Sequence, residues 1–137
     1  MRMLIVDDDF NSRLLIQEIV SDFGTCHMAC NGAEAVQAFQ AAYDRQQPYH
    51  VVFMDIIMPV MDGHLALQQI RAVEHGQKNH GNDVFVFMVT AVDSHDHVCK
   101  AFFRGYCSDY LIKPVSITNL LNKLYEHQLI APSPAIR

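Results

Sequence analysis

Five short apolar runs alternate with segments of helical periodicity along this chain of 137 residues. The runs lie at about 3–6, 25–30, 51–54, 84–89 and 110–112. An unbroken run such as 51–54 is typical of a strand buried on both faces. Because parallel strands need long right-handed crossovers that usually carry helices, the alternation predicts an α/β fold. The expected architecture is a doubly wound, flavodoxin-like parallel sheet of five strands in the order 2-1-3-4-5, with five helices.

Capping signals place the helices between these runs. Asn31 followed by Glu34 resembles a capping box, and Ser116 is placed to cap the last helix. The third helix is expected over 63–73 and the fourth over about 94–104. The last helix should present a buried face made of Ile117, Leu120, Leu121 and Leu124.

The chain is expected to form one domain. We place it at 1–129 and interpret 130–137, which contains two prolines, as a C-terminal tail. Between the third helix and the fourth strand, 74–83 is expected to be a polar loop, because it is rich in polar residues and glycine.

Charge and hydropathy argue against two classes of partner. The formal net charge of −5 argues against non-specific nucleic-acid binding, which needs a basic surface. No apolar run approaches the length of a membrane span, and the first residues are too short and too acidic a segment for a signal peptide. We therefore expect no nucleic-acid or membrane partner and a cytoplasmic location.

The four cysteines suggest a disulfide framework or a metal site at first sight. On a strand, the sulfur atoms of Cys26 and Cys30 would lie about 13 Å apart, which is too far for one zinc ion. A second candidate, His95 and His97 with Cys99, needs three or four converging ligands, so a solvated loop is the better interpretation there. Buried free thiols are the expected state of the cysteines.

Polar residues follow the predicted strands at the points where these strands end. Asp7 and Asp8 follow the first strand and Asp55 follows the third, which the expected order makes its neighbour. Thr90 ends the fourth strand and Lys113 follows the fifth. Because the carboxyl ends of parallel strands meet at one edge, these side chains should form one site.

Clustered carboxylates repel one another, and a cation allows them to coexist ionised. Mg²⁺ fits this role, since it takes oxygen ligands and usually only one or two protein carboxylates. With a hydroxyl and an ammonium group alongside, the site has the parts needed to transfer a phosphoryl group to an aspartate and to stabilise its charge.

These motifs resemble those of the response regulator receiver domains of two-component signalling. The matching segments, within about 2–128, are Asp7-Asp8 after Leu-Ile-Val, Asp55 in Met-Asp-Ile-Ile-Met-Pro-Val-Met-Asp-Gly, Thr90-Ala91, and Tyr110-Leu-Ile-Lys113-Pro114. The resemblance implies that Asp55 accepts a phosphoryl group from a histidine kinase or a histidine phosphotransfer protein. It also implies a downstream protein target, bound by the face formed by the fourth helix, the fifth strand and the last helix.

The resemblance assigns a role to each site residue. Asp8, Asp55 and the backbone carbonyl of Ile57 would bind Mg²⁺, and Asp7 would contribute through a water molecule. Lys113 would pair with the phosphoryl oxygens and Thr90 would hydrogen-bond to them. Tyr110 corresponds to an aromatic switch residue, and the Lys113–Pro114 bond is usually cis in the family.

The chain departs from the family pattern at several positions. Ile57 and Val92 occupy two variable positions beside the phosphorylation site, where faster-hydrolysing members often carry polar side chains. We therefore expect a long-lived phosphoryl group. Tyr106, preceded by Gly105, replaces the glycine that usually lies four residues before the switch aromatic. The long 74–83 loop resembles that of receivers attached to hybrid kinases.

A stand-alone, phospho-accepting receiver is the function expected from these observations, with no enzymatic activity beyond its own phosphorylation and dephosphorylation. Three alternatives remain: a receiver excised from a hybrid histidine kinase, a Mg²⁺-dependent phosphohydrolase, and a receiver-like binding module that is not phosphorylated. The phosphohydrolase motif Asp-x-Asp-x-Thr lacks its second aspartate here, because Ile57 occupies that position.

Overall fold

The computed structural model describes residues 1–76, 83–91 and 106–131. Its strands are β1 (Arg2–Val6), β2 (Thr25–Ala29), β3 (Val51–Asp55), β4 (Phe85–Thr90) and β5 (Asp109–Ile112). Its helices are α1 (Phe10–Val20), α2 (Gly32–Asp44), α3 (Gly63–His75) and α4 (Ile117–Glu126), with a short 3-10 helix at Ser21–Phe23. The helix predicted at 94–104 lies outside the described residues, so α4 is the last of the five predicted helices.

The five strands form one parallel sheet in the order β2-β1-β3-β4-β5, as predicted. In the register of β1 with β3, Val6 is paired with Met54, so Asp7 follows β1 beside Asp55 at the end of β3. In the register of β3 with β4, Asp55 is paired with Val89, next to Thr90. The sheet therefore brings the predicted site residues to one edge.

Apolar side chains fill both faces of the sheet. On one face, Leu4 and Val52 belong to a core that includes residues of α2 and α3. On the other face, Ile5 and Phe53 belong to a core that includes residues of α1 and α4. Successive residues of a strand point to opposite faces, so an unbroken apolar run supplies both cores at once. This explains why β3 carries no alternating polar residues.

The predicted helix caps are present. The side chain of Asn31 accepts a hydrogen bond from the backbone N–H of Glu34 at 3.0 Å, and Glu34 in turn accepts one from the N–H of Cys30 at 3.2 Å. Ser116 accepts a hydrogen bond from the N–H of Asn119 at 3.0 Å. The side chains of Asn31 and Ser116 each satisfy a backbone N–H that has no partner within its helix.

Three expectations about burial were wrong. Glu74 belongs to α3 and is only 3% exposed, whereas it had been assigned to a polar loop. Ile117 is 60% exposed, because it is the first residue of α4 and the core contacts begin one turn later, at Leu120. Cys30 is exposed and Cys26 only half-buried, while Cys107 is buried; all three are free thiols. Cys30 follows β2, which is an edge strand of the sheet.

Candidate functional site

An acidic cluster lies at the carboxyl edge of the sheet. One carboxylate oxygen each from Asp7, Asp8 and Asp55 lie within 4.8 Å of one another. Asp7 and Asp55 are buried, with 1% and 6% of their surface exposed, whereas Asp8 is exposed. The cluster opens into a pocket of about 210 Å³ that is also lined by Ile57 and Thr90.

The turn from β1 to α1 holds two of these carboxylates. Asp9 caps α1, since its side chain accepts a hydrogen bond from the N–H of Ser12 at 2.9 Å. The hydrogen bonds from Ser12 lower the pKa of Asp9 below its usual value. The N–H of Asp9 donates to Oδ1 of Asp7 at 2.9 Å, and Nη1 of Arg13 donates to the carbonyl oxygen of Asp7 at 2.7 Å. Within this turn, the Asp9 side chain caps α1, whereas the Asp7 side chain accepts a hydrogen bond from the backbone.

A close approach of α3 shapes the other side of the site. A Cβ atom on Gly63 would lie 2.3 Å from the carbonyl oxygen of Asp55, so any side chain there would force the helix away. The N–H of Gly63 also donates to the carbonyl of Ile56 at 2.7 Å. The Asp62-Gly63 pair therefore begins α3 directly behind the end of β3, with Asp62 as its cap.

Lys113 brings a cation into the acidic cluster. Its Nζ atom lies 2.9 Å from Oδ2 of Asp7 and 3.4 Å from Oδ1 of Asp55. Burial disfavours the ammonium, but the hydrogen bond with Asp7 and the charges of Asp55 and Asp7 outweigh burial and raise the pKa of Lys113. The peptide bond that follows Lys113 is cis, as the family resemblance implies.

Asp55 carries the strongest electrostatic conflict in the site. Burial, reinforced by the charge of Asp7, raises its pKa to about 6, even though Lys113 acts in the opposite direction. The ammonium group of Lys113 thus leaves much of the negative charge uncompensated. A hard divalent cation with oxygen ligands fits this donor set, because it would offset that charge and could be reached by Asp8 from the solvent side.

Thr90 and Ile57 line the same pocket but differ in exposure to solvent. Thr90 is buried, and its hydroxyl donates to the carbonyl of Ala91 at 3.2 Å. Ile57 is 63% exposed and follows Asp55 by two residues, so its apolar side chain borders the open part of the pocket. Val92, the other residue predicted to affect phosphate lifetime, lies outside the described residues.

Tyr110 lies on β5, away from the acidic pocket. It is half-buried against the core on the α2–α3 side of the sheet, and Nζ of Lys123 lies 5.3 Å from the centre of its ring. The structure therefore places the Tyr110 ring on the α2–α3 side of the edge strand β5, within reach of the Lys123 ammonium group. Tyr106 is also half-buried against this core, and Gly105 lies outside the described residues.

The sequence did not indicate the contacts of Arg13 or of Arg71. Arg13 follows Asp7 by six residues, a spacing at which a helix side chain can reach back to the preceding turn. That spacing alone gives no signal, because it does not indicate which backbone carbonyl the side chain will reach. Arg71 is buried and binds backbone atoms of segments far along the chain.

Comparisons with known proteins agree with this geometry. The family model for the response regulator receiver domain matches residues 3–125. Chemotaxis protein CheY of Listeria monocytogenes is 36% identical over 126 residues, which cover 90% of this chain and 95% of that protein. Sensor histidine kinase GacS of Pseudomonas protegens is 34% identical over 116 residues, which cover 84% of this chain and 12% of that kinase.

Solved structures share the fold. A chain in the co-crystal structure of the Saccharomyces cerevisiae histidine phosphotransfer signaling protein Ypd1 with the receiver domain of Ssk1 aligns with a TM-score of 0.75 and 30% identity, covering 92% of this chain and 87% of that one. A chain in the CheX–CheY–BeF3–Mg complex of Borrelia burgdorferi aligns with a TM-score of 0.78 at 23% identity, covering 96% and 90%, which supports the fold alone.

The chain belongs to the family of response regulator receiver domains. It is a signalling domain of the two-component type, similar over most of its length to the CheY proteins and to part of the sensor kinase GacS. Among the described residues, no helix has both the length and the apolar character needed to cross a bilayer.

Proposed function

We propose that this receiver accepts a phosphoryl group on Asp55 in a Mg²⁺-dependent reaction. The observation that carries the proposal is the buried Asp55 carboxylate between two further carboxylates and an ammonium group, at the mouth of an open pocket. A carboxylate in such a position can act as a nucleophile while its neighbours offset the charge that arrives with the phosphoryl group.

The donor is proposed to be a phosphohistidine on a histidine kinase or a histidine phosphotransfer protein. An Asp55 oxygen attacks phosphorus, and the bond from phosphorus to the histidine nitrogen breaks. That nitrogen keeps the electron pair, and the ring leaves as neutral imidazole when its other nitrogen carries a proton. The Ssk1 receiver in its co-crystal with Ypd1 supports this class of partner.

Residues of the pocket are proposed to divide the remaining tasks. Lys113, now 3.4 Å from Asp55, would bind a phosphoryl oxygen, and Thr90 would turn its hydroxyl from the Ala91 carbonyl toward another. Asp8, Asp55 and the Ile57 carbonyl would hold Mg²⁺, with Asp7 acting through water. When bound, Mg²⁺ would neutralise charge on the phosphoryl oxygens.

The output is proposed to be a separate downstream protein that binds a face containing β5 and α4, with Tyr110 as the switch residue. The third member of that face, the predicted helix at 94–104, lies outside the described residues. The form that we propose is a stand-alone receiver with its domain at 1–129, similar to CheY, which is matched over 95% of its length. A receiver that forms part of a kinase is the alternative, since GacS is matched over 12% of its length.

Intact-mass measurement after incubation with acetyl phosphate and Mg²⁺ tests the proposal. The wild type should gain one phosphoryl group, Asp55→Asn should gain none, and EDTA should abolish the gain. Asp44→Asn, at the exposed end of α2, is the matched control and should behave like the wild type. An equal gain in Asp55→Asn would show that another residue is the acceptor.

A further inference from the structure

We propose that Arg13 is a positioning residue that orients the metal-binding carboxylates of the β1–α1 turn. The inference rests on the proposed Mg²⁺ site and concerns how the chain builds it. Arg13 itself is not expected to touch the metal or the phosphoryl group.

Arg13 holds the peptide group between Asp7 and Asp8 in place through a hydrogen bond to its carbonyl oxygen. Its Nη1 atom donates to the carbonyl oxygen of Asp7 at 2.7 Å, and its guanidinium carbon lies 5.7 Å from the centre of the Phe10 ring. The N–H of Asp7 donates to the carbonyl of Ala29 on β2 at 3.2 Å. Asp7 is thus fixed by its neighbouring strand on one side and by Arg13 on the other.

The peptide group that Arg13 holds connects Asp7 to Asp8. Asp8 is exposed, so its carboxylate position depends strongly on how its backbone is directed. A charge-assisted hydrogen bond from a guanidinium group to a carbonyl is short and directional, which suits this task. Mutation of partners that orient metal ligands typically costs about 10- to 100-fold in metal affinity or activity.

Electrostatics and positioning predict opposite effects of removing Arg13. Three carboxylates attract Mg²⁺, and a nearby positive charge opposes its approach, so loss of that charge alone should tighten binding. Loss of the hydrogen bond from Arg13 to the Asp7 carbonyl should instead weaken Mg²⁺ binding, because Asp8 would no longer be directed toward Asp55. The sign of the change in affinity therefore decides between the two effects.

The experiment is a Mg²⁺ titration by calorimetry at fixed ionic strength, on wild type, Arg13→Met and Arg13→Lys. Arg13→Met should raise the Kd by about three- to tenfold, within or below the range usual for such partners. Arg13→Lys keeps the charge and one donor, and it should restore the affinity to within about twofold of wild type. Arg45→Met removes the same charge at the end of α2 and serves as the matched control.

A second measurement needs no metal. In EDTA, amide hydrogen exchange at Asp9 and Ser12 should be faster in Arg13→Met than in wild type, while exchange in β3 stays unchanged. If Arg13→Met does not fold, Arg13→Leu removes both the charge and the hydrogen-bond donor and provides the same comparison. Equal or tighter Mg²⁺ binding by the folded neutral variant would overturn the inference, whereas a wild type that binds no Mg²⁺ would count against the proposed function itself.

Discussion

At the scale of single residues, Asp55 is a carboxylate whose ionised form is destabilised by its surroundings in the folded protein. Its carboxylate is buried beside Asp7, and its pKa is raised to about 6 despite the ammonium group of Lys113. Ionised Asp55 therefore costs stability as long as no cation occupies the cluster. This cost accompanies a site that is proposed to receive both a metal ion and an anionic phosphoryl group.

Replacement of Asp55 by asparagine should stabilise the metal-free protein at neutral pH. Because the folded-state pKa lies above the ordinary value of 3.8, the folded protein binds more protons between the two values. Stability of the wild type should thus rise as pH falls from about 6 toward 4, relative to Asp55→Asn. Urea unfolding in EDTA at pH 7.5 should show Asp55→Asn more stable by about 1–3 kcal/mol.

The same comparison at pH 4 should show little difference between the two proteins. Asp44→Asn makes the same substitution at an exposed position and is the control. A metal-free Asp55→Asn variant less stable than wild type at pH 7.5 would contradict the assignment of electrostatic strain to this residue.

Ile57 should prolong the life of the phosphoryl group. Hydrolysis needs a positioned water, and the exposed apolar side chain of Ile57 at the pocket mouth cannot hydrogen-bond to one. After removal of the donor, Ile57→Asn should lose phosphate several-fold faster than wild type, as followed by intact mass. Val60→Asn introduces the same polar side chain at an exposed position in the same loop and should leave the rate unchanged. Equal rates for Ile57→Asn and wild type would refute this role, which we also predict for Val92.

At the scale of secondary-structure elements, one carboxylate ties β5 to α4. Asp109 lies 3.1 Å from Nζ of Lys123 and 2.8 Å from Nε2 of His127, and it accepts a hydrogen bond from the N–H of Tyr110. The His127 ring packs against Phe85 with centroids 4.5 Å apart. The C-terminal helix is therefore held to the sheet by charge as well as by its apolar face.

Asp109→Asn should destabilise the protein in a pH-dependent way. Burial raises the pKa of Asp109, but its hydrogen bonds with His127, the Tyr110 N–H and Lys123 outweigh burial, so the pKa is lowered. A lowered carboxyl pKa stabilises the fold above the ordinary value, and this contribution disappears as pH falls through the folded-state pKa. Urea unfolding at pH 7 should show a loss of about 1–2 kcal/mol.

The difference between Asp109→Asn and wild type should shrink toward pH 3. Asp22→Asn, at an exposed position in the 3-10 helix, provides the control. If Asp109→Asn is destabilised by the same amount over this pH range, then packing, and not the charge of Asp109, determines its contribution to the free energy of unfolding.

At the scale of the whole molecule, a buried ion pair joins segments that are far apart in the chain. Arg71 binds Glu74 at 2.8 Å and also donates to the carbonyl oxygens of Val84 and Tyr106, each at 2.8 Å. The Glu74 carboxylate accepts a hydrogen bond from the N–H of Val84. The ion pair and these hydrogen bonds thereby connect the end of α3 to the start of β4 and to the segment that leads into β5.

Glu74→Ala should lower the free energy of unfolding by about 3–5 kcal/mol, because it leaves the Arg71 charge buried without its partner. Arg71→Met/Glu74→Leu should lose less than the sum of the two single changes, since it removes both charges together. Urea unfolding of the wild type, Glu74→Ala, Arg71→Met, Glu74→Leu and the double variant measures both effects. Glu126→Ala, at the exposed end of α4, is the control, and a loss below about 1 kcal/mol for Glu74→Ala would refute the role of the pair.

The sequence by itself determined the architecture and the membership of the site. Apolar runs, caps and crossover length specify a parallel sheet, and its strand order follows from the few arrangements that five such units adopt. Because parallel strands end at one edge, Asp7, Asp8, Asp55, Thr90 and Lys113 could be placed together without a structure. The predicted and observed site residues agree because their positions depend only on local sequence pattern and on sheet topology.

Only the tertiary structure decided which polar side chains pair across elements. Glu74 was assigned to a loop because its neighbours are polar, but a buried arginine one turn earlier makes it a core residue. Ile117 fits the apolar periodicity of the last helix, yet it lies beyond the edge of the core. Arg13 reaches back to the carbonyl of Asp7, a contact that no periodicity indicates. Periodicity reports the direction of a side chain on its own element, whereas its partners depend on how distant elements pack and how far each side chain reaches.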